Sequence, residues 1–186
     1  MGKKKINDLN INRWKEYDDI ITDSLWIIDK RDNTGNNKGD YHGNFIPQIP
    51  YQLMQRYTKK GDWVLDPFLG SGTTLITCQQ LGRNGIGIDI DNNILNIAKE
   101  RATNEQGNSI LEFLQGDSSK VDLNPILKNN SIDKVQMIIY HPPYWDIIKF
   151  NDVRGNIAHS DTLDEFLYSF EKIVDNTAKF LENNRY

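Results

Sequence analysis

Cysteine is nearly absent from this chain of 186 residues, where Cys78 stands alone. That excludes a disulfide framework and any cysteine-rich zinc site. Positive charge is in deficit: 22 Lys and Arg stand against 26 Asp and Glu, a formal net charge of −4. Binding to nucleic acid by bulk positive charge is therefore not expected, and a local basic strip stays open. No apolar run approaches the roughly 20 residues that span a bilayer, so no membrane partner is expected. The start MGKKKINDLN has no apolar signal core behind its lysines, and the expectation is a cytoplasmic, reduced protein. No repeat at solenoid spacing is present. Hydrophobic residues make up 38% of the chain, enough for a true core and about one domain.

Three stretches follow from the patterning. Residues 1–10 are polar and expected to be flexible. Residues 11–60 hold a helix expected from Ile11 to about Ile28, a turn-rich loop from Arg31 to Asp40, and a segment leading to a short helix around Tyr51 to Tyr57. Residues 61–186 alternate. WVLD (Trp63 to Asp66), GIGIDI (Gly85 to Ile90), ILEFLQ (Ile110 to Gln115) and DKVQMIIY (Asp133 to Tyr140) read as strands. Helices are expected from about Thr73 to Leu81, from Asn92 to Ala102 with Asp91 as cap, and from about Thr162 to Leu181. Strand–helix alternation of this kind predicts an α/β fold, a parallel sheet covered by helices on both faces. Its ligands belong at the carboxyl ends of the strands.

The turn DPFLGSGTT, Asp66 to Thr74, leaves the first strand. Glycines 70 and 72 let the backbone turn sharply and approach a ligand, and the next helix starts with free amides suited to a carboxylate or phosphate. The spacing is neither GxxxxGK[ST] nor GxGxxG, which weakens the triphosphate and dinucleotide readings. Asp89 ends the second strand, where a carboxylate can accept both hydroxyls of a ribose. Asp117, in QGDSS after the third strand, can accept from an adenine amine. Either alone is a cap or a loop acid; three acids at three successive strand ends describe an adenosine-containing ligand across the strand tips.

VLDPFLGSGTTLITCQQLGRNGIGIDID resembles the cofactor motif of the S-adenosylmethionine-dependent amino-methyltransferases of DNA, which act on N6 of adenine or N4 of cytosine. HGNFIPQIPYQLMQRYTKKGD before it resembles the segment that covers the methionine end of the cofactor in that family. The resemblance implies a Rossmann-like methyltransferase sheet. It implies that Asp66, Pro67, Phe68, Gly70, Gly72 and Thr73 hold the methionine moiety of S-adenosyl-L-methionine. Asp89 would then hold the ribose, Asp117 and Ser118 the adenine, and Phe45 and Pro47 would pack over the cofactor.

The fourth strand runs into HPPYW, His141 to Trp145. Two prolines end the ladder and force a rigid extended turn. In the family resembled, this position carries Asp, Ser or Asn, then Pro-Pro, then an aromatic residue. An exocyclic amine is a poor nucleophile because its lone pair is conjugated with the ring. An acceptor at His141 and the carbonyl of Pro142 can each take an amine hydrogen bond and draw the lone pair out of conjugation. Pro143 stiffens the turn, and Tyr144 would stack on a base flipped from DNA. No metal is implied. His141 departs from the family pattern, offering one acceptor nitrogen when neutral, so transfer is expected to fall as pH drops through about 6.5.

His42 and His159 read as surface residues and Cys78 as buried. Lys149, Arg154 and lysines 3 to 5 are weak candidates for phosphate contact. An RNA or protein amide methyltransferase, and a non-catalytic cofactor-binding subunit, are the alternatives to a DNA enzyme. At roughly 30 residues per strand–helix unit, the chain after Asp62 holds about four units, whereas the resemblance implies seven strands. The expectation is an incomplete sheet, completed by a second chain or a homodimer mate.

Overall fold

Four parallel strands form the sheet among the described residues of this computed structural model, which are 5–41, 43–145, 153 and 155–186. They are β1 (Trp63–Asp66), β2 (Asn84–Asp89), β3 (Leu111–Gln115) and β4 (Met137–Ile138), in the order β3-β2-β1-β4. Five helices accompany them: α1 (Gln48–Tyr57), α2 (Thr73–Leu81), α3 (Asn92–Thr103), α4 (Asn124–Asn129) and α5 (Leu163–Ala178). The four-strand α/β reading holds. Helix α4, in a stretch left unassigned from sequence, starts with a proline in its first turn.

Period-two alternation divides the sheet between two faces. Trp63, Leu65, Ile86 and Ile88 point to the face closed by Leu123, Leu127 and Phe180. Val64 points the other way, to Met54, Cys78 and Met137. On β2 that second face carries glycines at 85 and 87 before Asp89. A Cβ at Gly85 would lie 2.9 Å from Leu75 Cγ, and one at Gly87 2.5 Å from Leu69 Cδ2. The alternating glycines of NGIGID thus let α2 and its leading turn sit hard against the strand. Residues Thr73 to Gln79 of α2 are buried all round, as expected of a helix held between a sheet and two helix neighbours. Asp91 caps α3 through the Asn93 N–H, and Thr162 caps α5 through the Glu165 N–H.

The helix expected over Ile11 to Ile28 does not form. Only a 3-10 turn, Ile11–Tyr17, is present, broken at Arg13, with no buried residue. Ile11 is 83% exposed and Trp14 62%, so the apolar stripe has nothing to pack against, and an uncovered short helix is marginal in water. The next stretch is claimed by a buried side chain instead. Gln52 of α1 accepts from the Ile21 N–H at 3.0 Å and donates to the Asp19 carbonyl at 2.6 Å. The fourth strand is also shorter than expected. Its ladder covers two residues, and Val135 instead bridges in parallel to Leu181.

Buried charge at the amino ends of the strands gathers both ends of the chain. Arg83 is 1% exposed and donates to the Thr58 hydroxyl and carbonyl and to the Leu81 carbonyl. Asp8 pairs with it at 3.3 Å and also accepts the Lys60 N–H. Within the stretch expected to be flexible, Asn7 likewise donates to the Arg56 carbonyl at 2.7 Å. Arg185 pairs with Asp62, both nearly buried. After α5 the chain runs beside β4: Val135 N–H donates to the Phe180 carbonyl and Ile138 N–H to the Tyr186 carbonyl, each at 2.9 Å.

Gly72 starts α2 at φ +95°, where a Cβ would lie 3.1 Å from Cα and Cβ of Ala98 on α3. Gly61 has a similar φ of +82° with nothing within 4 Å. Gly61→Ala should cost about 1 kcal/mol, the left-handed backbone penalty alone, and Gly72→Ala about 2–3 kcal/mol because packing strain adds to it. Urea unfolding of the two variants checks the difference, and equal losses would show that the contact with α3 yields freely.

Candidate active site

All four strands direct their carboxyl ends to one side, and the loops leaving those ends surround an open cleft. It lies at the switch point of the topology, where β2 and β3 run to one side of β1 and β4 to the other. Pro67, Phe68, Gly70 and Thr73 reach it from the β1 turn, Asp89 from β2, and Asp117 and Ser118 from β3. His141, Pro142, Pro143 and Tyr144 reach it from β4, and Phe45 from the segment before α1. Asp66, Gly72 and Pro47 do not border it. Gly72 packs on α3 and Pro47 caps α1.

Asp66 is fully buried. One carboxylate oxygen accepts the Phe68 N–H at 2.9 Å and the other the Thr74 hydroxyl at 2.5 Å. Burial pushes the carboxyl up to about 6, against the pull of those two hydrogen bonds, and the nearby Asp89 charge adds to the rise. Both oxygens therefore bind the turn to itself.

Asp89 ties the same turn to β2. It accepts the Gly70 N–H at 2.9 Å and the Asp91 N–H at 2.8 Å, and burial raises its pKa despite both bonds. Asp117 is anchored differently. It pairs with Lys120 at 2.6 Å and accepts from the Ser119 N–H and hydroxyl. Burial alone would raise its pKa, but Lys120 and Ser119 hold it below the usual value. The Ser118 hydroxyl donates to the Pro67 carbonyl at 2.7 Å, and Asn176 of α5 donates to the Ser118 carbonyl at 3.0 Å. The β1 and β3 loops are thus locked to each other and to α5.

On the β4 side, the Phe45 ring stacks on His141, with centroids 4.5 Å apart and planes 24° from parallel. Tyr144 meets the imidazole edge-on, and its hydroxyl lies 3.4 Å from Nε2. Burial lowers the His141 pKa from its ordinary value, so the ring is neutral at pH 7. Tyr144 keeps 48% of its surface exposed. Trp145 does not border the cleft, and its indole N–H donates to the Ser160 carbonyl at 3.0 Å.

Tyr41, Ile90, Asn156 and Ile157 are among the bordering residues that escaped the sequence reading. Ile90 could have been found as the neighbour of Asp89, and Tyr41 as part of the segment holding Phe45. Burial, then the charges of Asp89 and Asp91, push the Tyr41 phenol up to about 12, which keeps it a neutral hydroxyl. Asn156 and Ile157 carry no local signal, and only the packing of the 3-10 turn Ile157–His159 brings them in. His159 is exposed and Cys78 buried, as expected. His42, Lys149, Arg154, Lys3 and Lys4 lie outside the described residues, and Lys5 is exposed. Among the described residues no cluster of metal-binding side chains occurs, and no helix is long and apolar enough to cross a membrane.

Comparison with known proteins adds a second line of observation. A family model described as DNA methylase matches residues 2–100. The type II methyltransferase M.MthZI of Methanothermobacter thermautotrophicus is 30% identical over 152 residues, covering 76% of this chain and 42% of that protein. The type II methyltransferase M2.DpnII of Streptococcus pneumoniae is 45% identical over 95 residues, 49% of this chain and 32% of that protein. The chain thus spans less than half the length of these curated relatives. Among solved structures, TrmN from Thermus thermophilus superposes with a TM-score of 0.52 at 22% identity, over 74% of this chain and 36% of that one, a likeness of fold.

The Asp66 carboxyl provides a test of the turn. Its folded pKa of about 6 lies above the unfolded value, so its contribution to stability is full below about pH 4 and lost as pH rises through 6. The stability of the wild type relative to Asp66→Asn should fall by about 2 kcal/mol between pH 4 and pH 7. Urea unfolding of both proteins across that range measures it, and a constant difference would mean that Asp66 is ionised throughout.

Proposed function

The chain belongs to the DNA methylase family, and from that premise we propose that its cleft binds S-adenosyl-L-methionine and serves methyl transfer to an exocyclic amine of DNA. The target is N6 of adenine or N4 of cytosine in a flipped base. A substrate of that kind agrees with the cytoplasmic location expected from composition. One observation carries the proposal: among the described residues, two carboxylates, Asp89 and Asp117, border the cleft together with the His-Pro-Pro-Tyr turn. A cleft with that lining suits a ligand bearing a positive sulfonium and disfavours a polyphosphate.

The residues present fit such a cofactor. Asp89 and Asp117 supply acceptors at successive strand ends for the ribose hydroxyls and the adenine amine, and Ile90 between those loops supplies an apolar wall. Over that end the chain crosses closely at Gly155, where a Cβ would lie 3.0 Å from Ile90 Cδ1 and 4.0 Å from Asp117 Oδ2. Phe68, Gly70 and Thr73 of the β1 turn also border the cleft and would hold the methionine moiety. S-adenosylmethionine, when bound, supplies a methyl group on a sulfonium that leaves as a neutral thioether.

The chain's own residues do the rest. The Pro142 carbonyl and the acceptor nitrogen of neutral His141 each take an amine N–H, which turns the nitrogen lone pair out of conjugation. A base stacked on the exposed Tyr144 ring is held in one plane. Alignment of amine and methyl then provides most of the acceleration, and the His141 nitrogen receives the amine proton that methylation makes acidic. The expected partner, a second chain supplying further strands or a second copy, is kept as part of this reading.

Incubation of the purified chain with labelled cofactor and duplex DNA, followed by digestion and mass analysis, should show one methylated amine. Asp89→Ala should weaken cofactor binding about tenfold or more in calorimetry. His141→Ala should leave that binding nearly intact and reduce transfer by about a hundredfold or more. Since burial lowers the His141 pKa, transfer by the wild type should decline only below pH 6.5, as the imidazole gains a proton. A flat rate from pH 5 to 7.5, or an active His141→Ala, would remove His141 from the reaction.

A further inference from the structure

We propose that Phe45 is a positioning residue for His141, its stacked ring fixing the plane of the imidazole and shielding it from water so that one acceptor nitrogen stays directed at the amine. This rests on the transfer reading above and assigns the covering segment a task in catalysis beyond packing on a cofactor.

The need arises from the residue type at position 141. An imidazole presents two unlike nitrogens on a ring whose torsion about the Cβ–Cγ bond is soft, so its acceptor is directed only if the whole ring is held. Two contacts hold it from different sides. Phe45 lies face to face, 4.5 Å between centroids and 24° from parallel. Tyr144 lies edge-on at 5.9 Å and 83°, its hydroxyl 3.4 Å from Nε2. Tyr144 is part of the same rigid turn as His141, whereas Phe45 arrives from nearly a hundred residues upstream. The stack therefore couples the covering segment to the catalytic turn.

Phe45 is itself held by its backbone. Arg31 donates from Nη1 to the Phe45 carbonyl and from Nη2 to the Lys38 carbonyl, each at 3.2 Å. The side-chain amide of the preceding Asn44 donates to the Lys38 carbonyl at 2.9 Å and to the Ser71 hydroxyl at 3.1 Å. The segment is thus fastened to the β1 turn on one side and folded on itself on the other. Among the described residues, Tyr144 is the titratable side chain against the imidazole, and burial is the cause of its lowered pKa.

Nitrogen NMR of His141 in the full chain tests this without turnover, comparing the wild type with Phe45→Leu and Phe45→Trp. Phe45→Leu should raise the His141 pKa toward 6.5 and mix the two ring tautomers, and Phe45→Trp should restore the wild-type values. In transfer assays Phe45→Leu should lower kcat about tenfold with little change in KM for the cofactor. A His141 pKa and tautomer unmoved in a folded Phe45→Leu protein would overturn the proposal, as would a raised KM with kcat kept. Phe45→Met takes the place of Phe45→Leu should the latter fail to fold. Failure of the transfer reading is separable, because it removes methylation from the wild type and leaves the NMR comparison untouched.

Discussion

A carboxylate without access to water holds the turn on which the rest of this protein is arranged. Asp66 ends the central strand, and its two oxygens take the Phe68 N–H and the Thr74 hydroxyl. Residues 66 to 74 are thereby closed into a ring whose outer backbone faces the cleft. Desolvation of the carboxyl is an energetic cost that an apolar residue would not incur. What it secures is a fixed backbone at a strand tip, to which Asp89 adds a second tie through Gly70. Glycines at 85 and 87 let that assembly settle against β2 without a side chain between.

The cleft is built by convergence of loops that are locked to one another. Ser118 reaches from the β3 loop to Pro67, Asn176 reaches from α5 to Ser118, and Asn44 reaches from the covering segment to Ser71. Each bond joins segments at least 27 residues apart. Such cross-links pre-organise a site so that binding energy is not consumed in ordering it. They also bring two differently made halves together: a carboxylate-lined end at Asp89 and Asp117 and an aromatic end around His141.

The aromatic end shows how a change of residue type alters the demands on its surroundings. A carboxylate or amide acceptor can be directed by hydrogen bonds in its own turn. An imidazole acceptor is directed only when the whole ring is held; Phe45 stacks on one face of His141, and burial favours its neutral form. Tyr144 meets the same imidazole edge-on and stays half exposed at the cleft.

Much of this was written in the chain locally. The alternation of WVLD, GIGIDI and LEFLQ with helical stretches determined the parallel sheet, because strand and helix periods are local properties. DPFLGSGTT and HPPY determined the two ends of the site, because turn geometry depends on glycine and proline at fixed offsets. The stripe from Ile11 to Ile28 misled, since periodicity describes a face but not whether anything covers it, and there Ile11 and Trp14 stay largely exposed. Tertiary structure alone decided that Asp66 is sealed inside the turn, that Asn156 and Ile157 border the cleft, and that Phe45 lies on His141. Those are contacts between residues far apart in sequence, and no local pattern specifies which distant side chain will occupy the space a loop leaves open.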